Sequence, residues 1–201
     1  MFEASLIHKS FDLQTSVNDT TDDQILALCH EEAKIEQGFK LLMLKYQERL
    51  YWHVRRMVFE HEDANDVIQN TFIKVYRSIH KFEGKSKLYT WLYRIATNES
   101  ITFLNKRNRK STASLDNEDY NLENQLKADE YFDGDEIQRK LQDAINQLPE
   151  KQKAVFNLRY FEEMKYDDMS EILGTSVGAL KASYHHAVKK IEVYLKGVAS
   201  E

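Results

Sequence analysis

Apolar residues return at three- and four-residue steps through most of this chain. Between Glu62 and Ile79, the positions Ala64, Ile68, Thr71, Phe72, Val75 and Ile79 share one side of a helix. Asp66, Gln69, Asn70, Ile73, Lys74 and Arg77 share the other, a polar face with an isoleucine in it. A longer amphipathic helix is predicted from Phe39 to Phe59 through Leu42, Tyr46, Leu50 and Val54. Upstream, Thr21-Asp22-Asp23-Gln24 is a helix start, with Thr21 as the cap and the two acids at the positive end of the helix dipole. Helical spacing resumes at Leu88 and runs on through Trp91, Leu92, Ile95 and Ile101.

In the C-terminal part, Leu141, Ile145 and Leu148 lead to Pro149-Glu150, which suits the first turn of a helix carrying Val155, Phe156, Leu158 and Tyr160. From Tyr166 onward, Met169, Ile172 and Leu173 turn to a core, Gly174 closes one helix, and Thr175 or Ser176 caps the next. Two short helices joined by a glycine turn make a helix-turn-helix. In its second helix Val177, Leu180, Tyr184, Ala187 and Ile191 line one side. Lys181, Ala182, His185, His186 and Lys189 project from the other, the layout of a helix that reads a DNA major groove. A plain helical hairpin is the alternative.

Composition supports an all-α chain: one Pro and six Gly in 201 residues leave little punctuation for turn-rich sheet. The single cysteine, Cys29, allows no internal disulfide and no cysteine zinc site, which suits a reducing cytoplasm. No stretch approaches the roughly 18 apolar residues of a membrane helix, and Met1-Phe2-Glu3-Ala4-Ser5 is no signal peptide.

Charge changes the picture. The net charge of −5 argues against a nucleic-acid partner, yet Lys74 to Lys110 holds ten Lys/Arg against two acids, a local +8. Asp116 to Glu136 holds nine acids against Lys127 alone, a local −8. That acidic run lacks helical periodicity and reads as a flexible linker over 111–136. It divides the chain into an N-terminal tail over 1–19, a helical domain over 20–110, the linker, and a second helical domain over 137–201.

Within the basic segment, aromatics and cations interleave. Gly84 and Ser86 mark a short loop, and the combination of stacking faces with phosphate-binding cations is what unpaired bases require. Trp91, Leu92 and Ile95 are expected in the core, whereas Phe82, Tyr89 and Tyr93 are candidates for contact with the strand. His185-His186 does not make a metal site, since neighbours on a helix diverge by about 100° and no other ligands accompany them.

The stretches Asp66-Val-Ile-Gln-Asn-Thr-Phe, Phe82-Glu-Gly-Lys-Ser and Thr90-Trp-Leu-Tyr-Arg-Ile-Ala-Thr-Asn98, followed by Leu148-Pro149 and the helix-turn-helix, resemble the extracytoplasmic-function sigma factors of the sigma-70 family. The resemblance covers roughly Asp22 to Leu195. It implies a non-catalytic initiation factor without cofactor or metal, whose partners are core RNA polymerase, promoter DNA and an anti-sigma factor. The face of Asp66, Gln69, Asn70, Ile73 and Lys74 would dock on the clamp helices of the largest polymerase subunit, and the flap region would be a further point of contact on the polymerase. Phe82, Lys85, Ser86, Lys87, Tyr89, Tyr93, Arg94 and Asn98 would hold the melted minus-ten element. Ser176, Lys181, Ala182, His185, His186 and Lys189 would read the minus-thirty-five element. Ala182-Ser183 and His186 stand where the family often has serine, arginine and arginine, which leaves the bases read open.

Two other readings compete. An ordinary DNA-binding regulator accounts for Tyr166 to Lys190 but gives the basic aromatic segment no task. A nuclease would need a metal cluster, for which His61-Glu62-Asp63 is the nearest candidate and His30-Glu31-Glu32 lacks the second histidine of a zinc helix.

Overall fold

The computed structural model describes residues 20–113 and 136–198, and the described residues are helical with short connections. Their order is α1 (Asp22–His30), a 3-10 turn (Glu32–Lys34), α2 (Ile35–Val58), α3 (His61–Ser78), a second 3-10 turn (Ile79–Lys81), α4 (Leu88–Ala113), α5 (Glu136–Asn146), α6 (Glu150–Tyr160), α7 (Tyr166–Leu173) and α8 (Val177–Val198). The chain forms two compact units, Met1–Glu99 and Ser100–Glu201, and the division falls inside the continuous helix α4. The expected tail over 1–19 and most of the expected linker lie outside the described residues. Positions 111–113, placed in the linker by charge, continue α4.

The first unit is built on α2, whose residues Leu42, Leu50 and Val54 are completely buried and whose Tyr46 is nearly so. That four-residue recurrence is the predicted stripe, and α1 and α3 pack against α2. Helix α1 begins with a capping box: the Thr21 hydroxyl accepts from the Gln24 N–H (3.3 Å), and the Gln24 side chain accepts from the Thr21 N–H (2.8 Å). The Asp22 carboxylate next to it accepts from the Tyr46 hydroxyl and the Lys45 ammonium, each at 2.8 Å. Burial and the Asp22 hydrogen bond hold the Tyr46 hydroxyl protonated well above its ordinary range. Together these contacts tie the start of α1 to the middle of α2.

Approach of α1 to α2 depends on Gly38. A Cβ there would lie 2.7 Å from Cys29 Sγ and 2.8 Å from the Cys29 backbone nitrogen. A helical glycine costs about 1 kcal/mol relative to alanine, so close packing outweighs propensity here. We expect Gly38→Ala to destabilise the protein by about 1–3 kcal/mol through overpacking, read as a lowered melting temperature. A melting temperature at or above wild type would show that α1 shifts freely.

Helix α4 departs from its expected face. Leu88, Leu92, Tyr93, Ala96, Thr97 and Ser100 are buried, whereas Trp91 and Ile95, expected in the core, are only half-buried. The buried side carries Thr, Ser and Ala, so hydropathy alone points to the wrong rotation. His53 of α2 explains part of this, because its completely buried ring is hydrogen-bonded to the Thr97 hydroxyl at 2.9 Å and lies 5.0 Å from the Tyr93 ring.

In the second unit, Ala144, Ile145 and Leu148 of α5 and its following turn pack with Phe156 of α6 and with Ala187 and Ile191 of α8. Pro149 caps α6, one residue earlier than the expected first-turn position. Gly174 ends α7 with φ 60°, a left-handed conformation that favours glycine, and its N–H donates to the Ser170 carbonyl at 2.9 Å. The Ser176 hydroxyl accepts from the Ala179 N–H at 3.4 Å near the start of α8. This is the predicted helix-turn-helix. Among the described residues, no helix is long and apolar enough to cross a membrane.

Candidate functional site

Three surfaces hold the residues singled out by the sequence. On α3, Asp66, Gln69, Asn70, Ile73 and Lys74 are all exposed, and their three- and four-residue spacing gathers them on one face. Ile73 is 41 % exposed and, among the described residues, is one of few large apolar side chains in the open. Lys74 forms an ion pair with Glu99 of α4, which attaches this face to the helix carrying Arg94 and Asn98.

The same face borders a groove of about 940 Å³ between α2 and α3. Phe39, Met43 and Tyr51 of α2 and Ile68, Phe72, Ile73 and Tyr76 of α3 line it, with Gln47, Glu48, Gln69 and Arg77 among its polar residues. The Phe39 ring meets Tyr76 edge-on at 5.0 Å and Phe72 at 6.3 Å. The α2 contribution was missed in the sequence, although a signal exists. Phe39, Met43, Gln47 and Tyr51 recur every four residues, one position ahead of a core stripe that begins at Leu42 and includes Tyr46 and Leu50. At 100° per residue this makes two adjoining stripes, of which only the core one was counted.

The second surface is the loop before α4. Two anchors define it: Phe82, whose N–H donates to the Ile79 carbonyl at 3.0 Å, and Leu88, buried at the first turn of α4. Between them Glu83, Gly84, Lys85 and Lys87 are exposed and Ser86 is half-buried, with Gly84 at φ 69°. Lys85 pairs with Glu83, and the Lys87 ammonium lies 5.5 Å from the centre of the half-buried Tyr89 ring. Arg94 and Asn98 are exposed one and two turns further on.

Phe82 and Tyr93 do not belong to this surface. They are 8 % and 1 % exposed, so neither offers a face to a nucleic-acid strand. The 3-10 turn directs Phe82 inward against Trp91, ring centres 5.1 Å apart, while Tyr93 sits beside Leu92 on the buried side of α4 against His53. The half-buried Trp91 and Tyr89 lie next to the loop, Trp91 against Phe82 and Tyr89 beside Lys87.

The third surface is the outer side of α8. Ser176, Lys181, Ala182, His185, His186 and Lys189 are exposed, while Leu180, Ala187 and Ile191 are buried beneath them. Tyr166, at the first position of α7, stands between two cations: the Arg159 guanidinium is 5.3 Å and the Lys181 ammonium 5.6 Å from its ring centre. Arg159 also donates to the Met164 carbonyl at 2.9 Å, which braces the turn into the motif.

The nuclease candidate has a different explanation. His61 is hydrogen-bonded to the Tyr51 hydroxyl (2.6 Å) and to the Asn65 amide (3.1 Å), and among the described residues no group of three His, Cys, Asp or Glu side chains gathers to hold a metal.

Comparison with known proteins places two stretches of the chain in one family. Residues 42–110 match Sigma-70 region 2, and residues 138–191 match Sigma-70, region 4. The chain is similar to the RNA polymerase sigma-H factor of Pseudomonas aeruginosa, with 33 % identity over 83 % of this chain and 90 % of that protein. It is similar also to the ECF RNA polymerase sigma-E factor of Haemophilus influenzae, with 34 % identity over 79 % of this chain and 90 % of that protein. Among solved structures, the sigma factor RpoE in complex with the anti-sigma factor NepR from Bartonella quintana shares the fold, with a TM-score of 0.66 and 24 % identity over 80 % of this chain and 98 % of that one.

Proposed function

The chain belongs to the sigma-70 family as an extracytoplasmic-function sigma factor, and from that premise we propose which of its surfaces meet polymerase and which meet promoter DNA. As a factor of this family it directs core polymerase to specific promoters and stabilises the melted minus-ten element. Polymerase supplies the chemistry, and the work takes place in the cytoplasm.

The observation that carries the assignment is the exposed Ile73 on a polar helix face at the rim of an aromatic groove. Interfaces gain most of their energy from such apolar anchors set in a polar rim. Asp66, Gln69, Asn70 and Lys74 are the rim, and the clamp helices of the largest polymerase subunit are the partner. The groove wall from α2 extends that contact. The second unit meets the polymerase flap region.

Lys85, Ser86, Lys87, Tyr89, Arg94 and Asn98 hold the non-template strand of the minus-ten element. Removing a base from the stack costs a few kcal/mol. A loop held at both ends, with cations for phosphate and an aromatic edge beside it, offsets that cost by binding alone. Phe82 and Tyr93 serve as the loop's buried footing.

On α8, Lys181, His185, His186 and Lys189 meet the minus-thirty-five duplex, with Ser176 near the helix start and Ala182 offering a methyl contact. Lys181→Ala and His185→Ala should each weaken minus-thirty-five recognition by up to about 1–3 kcal/mol where the side chain meets a base. Binding of promoter variants to the reconstituted holoenzyme measures this, and unchanged preference in both variants removes these residues from the surface. The relative solved with NepR supports an anti-sigma factor as a further partner here.

Run-off transcription from genomic fragments with purified core polymerase, with and without this protein, tests the whole reading. Initiation at discrete sites only in its presence is expected. Equal initiation in its absence would overturn the reading, and polymerase-independent binding to a duplex site would favour an ordinary regulator.

A further inference from the structure

Helix α1 has no part in the surfaces described so far, yet it reaches the minus-ten loop. His30, its last residue, donates from Nε2 to the Phe82 carbonyl at 3.1 Å, across 52 positions of sequence. Phe82 is the last residue before the exposed loop Glu83–Lys87, and it is held at three points. Its N–H is bound to Ile79, its ring lies against Trp91, and its carbonyl is bound to His30. Only the third of these comes from outside the loop's own hairpin of turn and helix.

The rest of α1 is equally well fastened. The capping box, the Asp22 contacts with Lys45 and Tyr46, and the close approach of Cys29 to Gly38 fix α1 on α2, and α1 also packs against the 3-10 turn Ile79–Lys81. A rigid element therefore ends in a hydrogen-bond donor aimed at the first anchor of a loop that contains Gly84 at φ 69° and would otherwise sample other backbone shapes. Holding a binding loop in its bound shape lowers the ordering cost of capture.

We infer that His30 is a positioning residue for base capture: α1 acts as a strut that fixes the Phe82 end of the minus-ten loop. This rests on the reading of Glu83–Lys87 as the loop that holds the melted strand. His30 is exposed at a helix end, so its replacement leaves the core intact.

Glutamine is the informative substitute, because its amide nitrogen stands the same four bonds from Cα as His Nε2. The test uses the reconstituted holoenzyme on a promoter found in the run-off assay. Permanganate reactivity of minus-ten thymines and binding of single-stranded non-template oligonucleotides are both measured. His30→Ala should lose about three- to tenfold in both, the size of one hydrogen bond, with weaker discrimination between oligonucleotides altered at one base. Affinity for core polymerase and melting temperature should stay near wild type. His30→Gln should recover most of the loss, and His30→Asn, one bond shorter, should not.

Wild-type behaviour of His30→Ala on a promoter that the unaltered protein opens would overturn the strut while leaving the functional reading intact. Losses in all three variants that track melting temperature would make the contact structural only and overturn it too. Failure of the unaltered protein to open any promoter would overturn the reading and this inference together.

Discussion

Ile73→Lys, alone or with Asp66→Arg, should release this protein from core polymerase. Ile73 is exposed, so a lysine there removes no core packing and the helix is retained. What is lost is an apolar anchor, replaced by a charge that must be desolvated on docking. Truncating or charging such an anchor costs at least about 2–4 kcal/mol, roughly a 30- to 1000-fold weaker complex. Asp66→Arg reverses a rim charge and should mainly slow association. Fluorescence anisotropy with labelled protein and core polymerase measures the affinity, and thermal melting verifies the fold. Undiminished binding by a folded Ile73→Lys variant would move the docking surface away from α3. A stronger effect from Tyr51→Ala or Met43→Ala would place its centre on α2.

Acid should destabilise the first unit through His53. The ring is completely buried and Nδ1 has no hydrogen-bond partner, so burial, aided by the nearby positive charge of Arg56, lowers its pKa from 6.5 to about 3. Because the folded value lies below the unfolded one, His53 contributes full stability above about pH 6.5. That contribution is lost progressively as pH falls towards 3. Each pH unit in that window costs about 1.4 kcal/mol, so moving from pH 6.5 to 4 removes about 3 kcal/mol.

Urea titrations of wild type and His53→Gln over this range isolate the effect. Glutamine does not titrate, and carboxylate contributions common to both proteins cancel in the difference. Stability of the variant should fall less steeply with acid. Parallel curves would mean that the ring is hydrated or already charged in the folded protein. The burial that makes His53 sensitive to acid also places it against Thr97 and Tyr93, so acid expansion would disturb the packing of α4.

Much of the fold is legible in the sequence, and the reasons are local. Thr21 and Gln24 form a capping box from side chains three residues apart. Gly174 ends a helix because a left-handed residue is needed there. The spacing of Leu42, Tyr46, Leu50 and Val54 needs only the 3.6-residue repeat to declare a buried face. The outward residues of α3 and α8 follow by subtraction, which is why the faces proposed for docking and recognition are exposed where periodicity put them.

Failures have a common origin as well. Helix α4 buries Thr97, Ser100 and Ala96 and leaves Trp91 half-exposed, because partners on other elements decide which side chains are covered. His53 makes a threonine a core residue, and Trp91 lies against the buried Phe82 ring. Phe59 takes φ 77° between α2 and α3, a conformation that no local preference assigns to phenylalanine.

Helix identity, most helix ends and the polar faces of α3 and α8 were thus determined by the sequence itself, since they depend on residues within one or two turns. The groove between α2 and α3, the burial of Phe82 and Tyr93, and the bond from His30 to the loop were decided only by tertiary structure. Each brings together residues far apart in the chain, and their meeting depends on how separate helices pack rather than on any pattern within one of them.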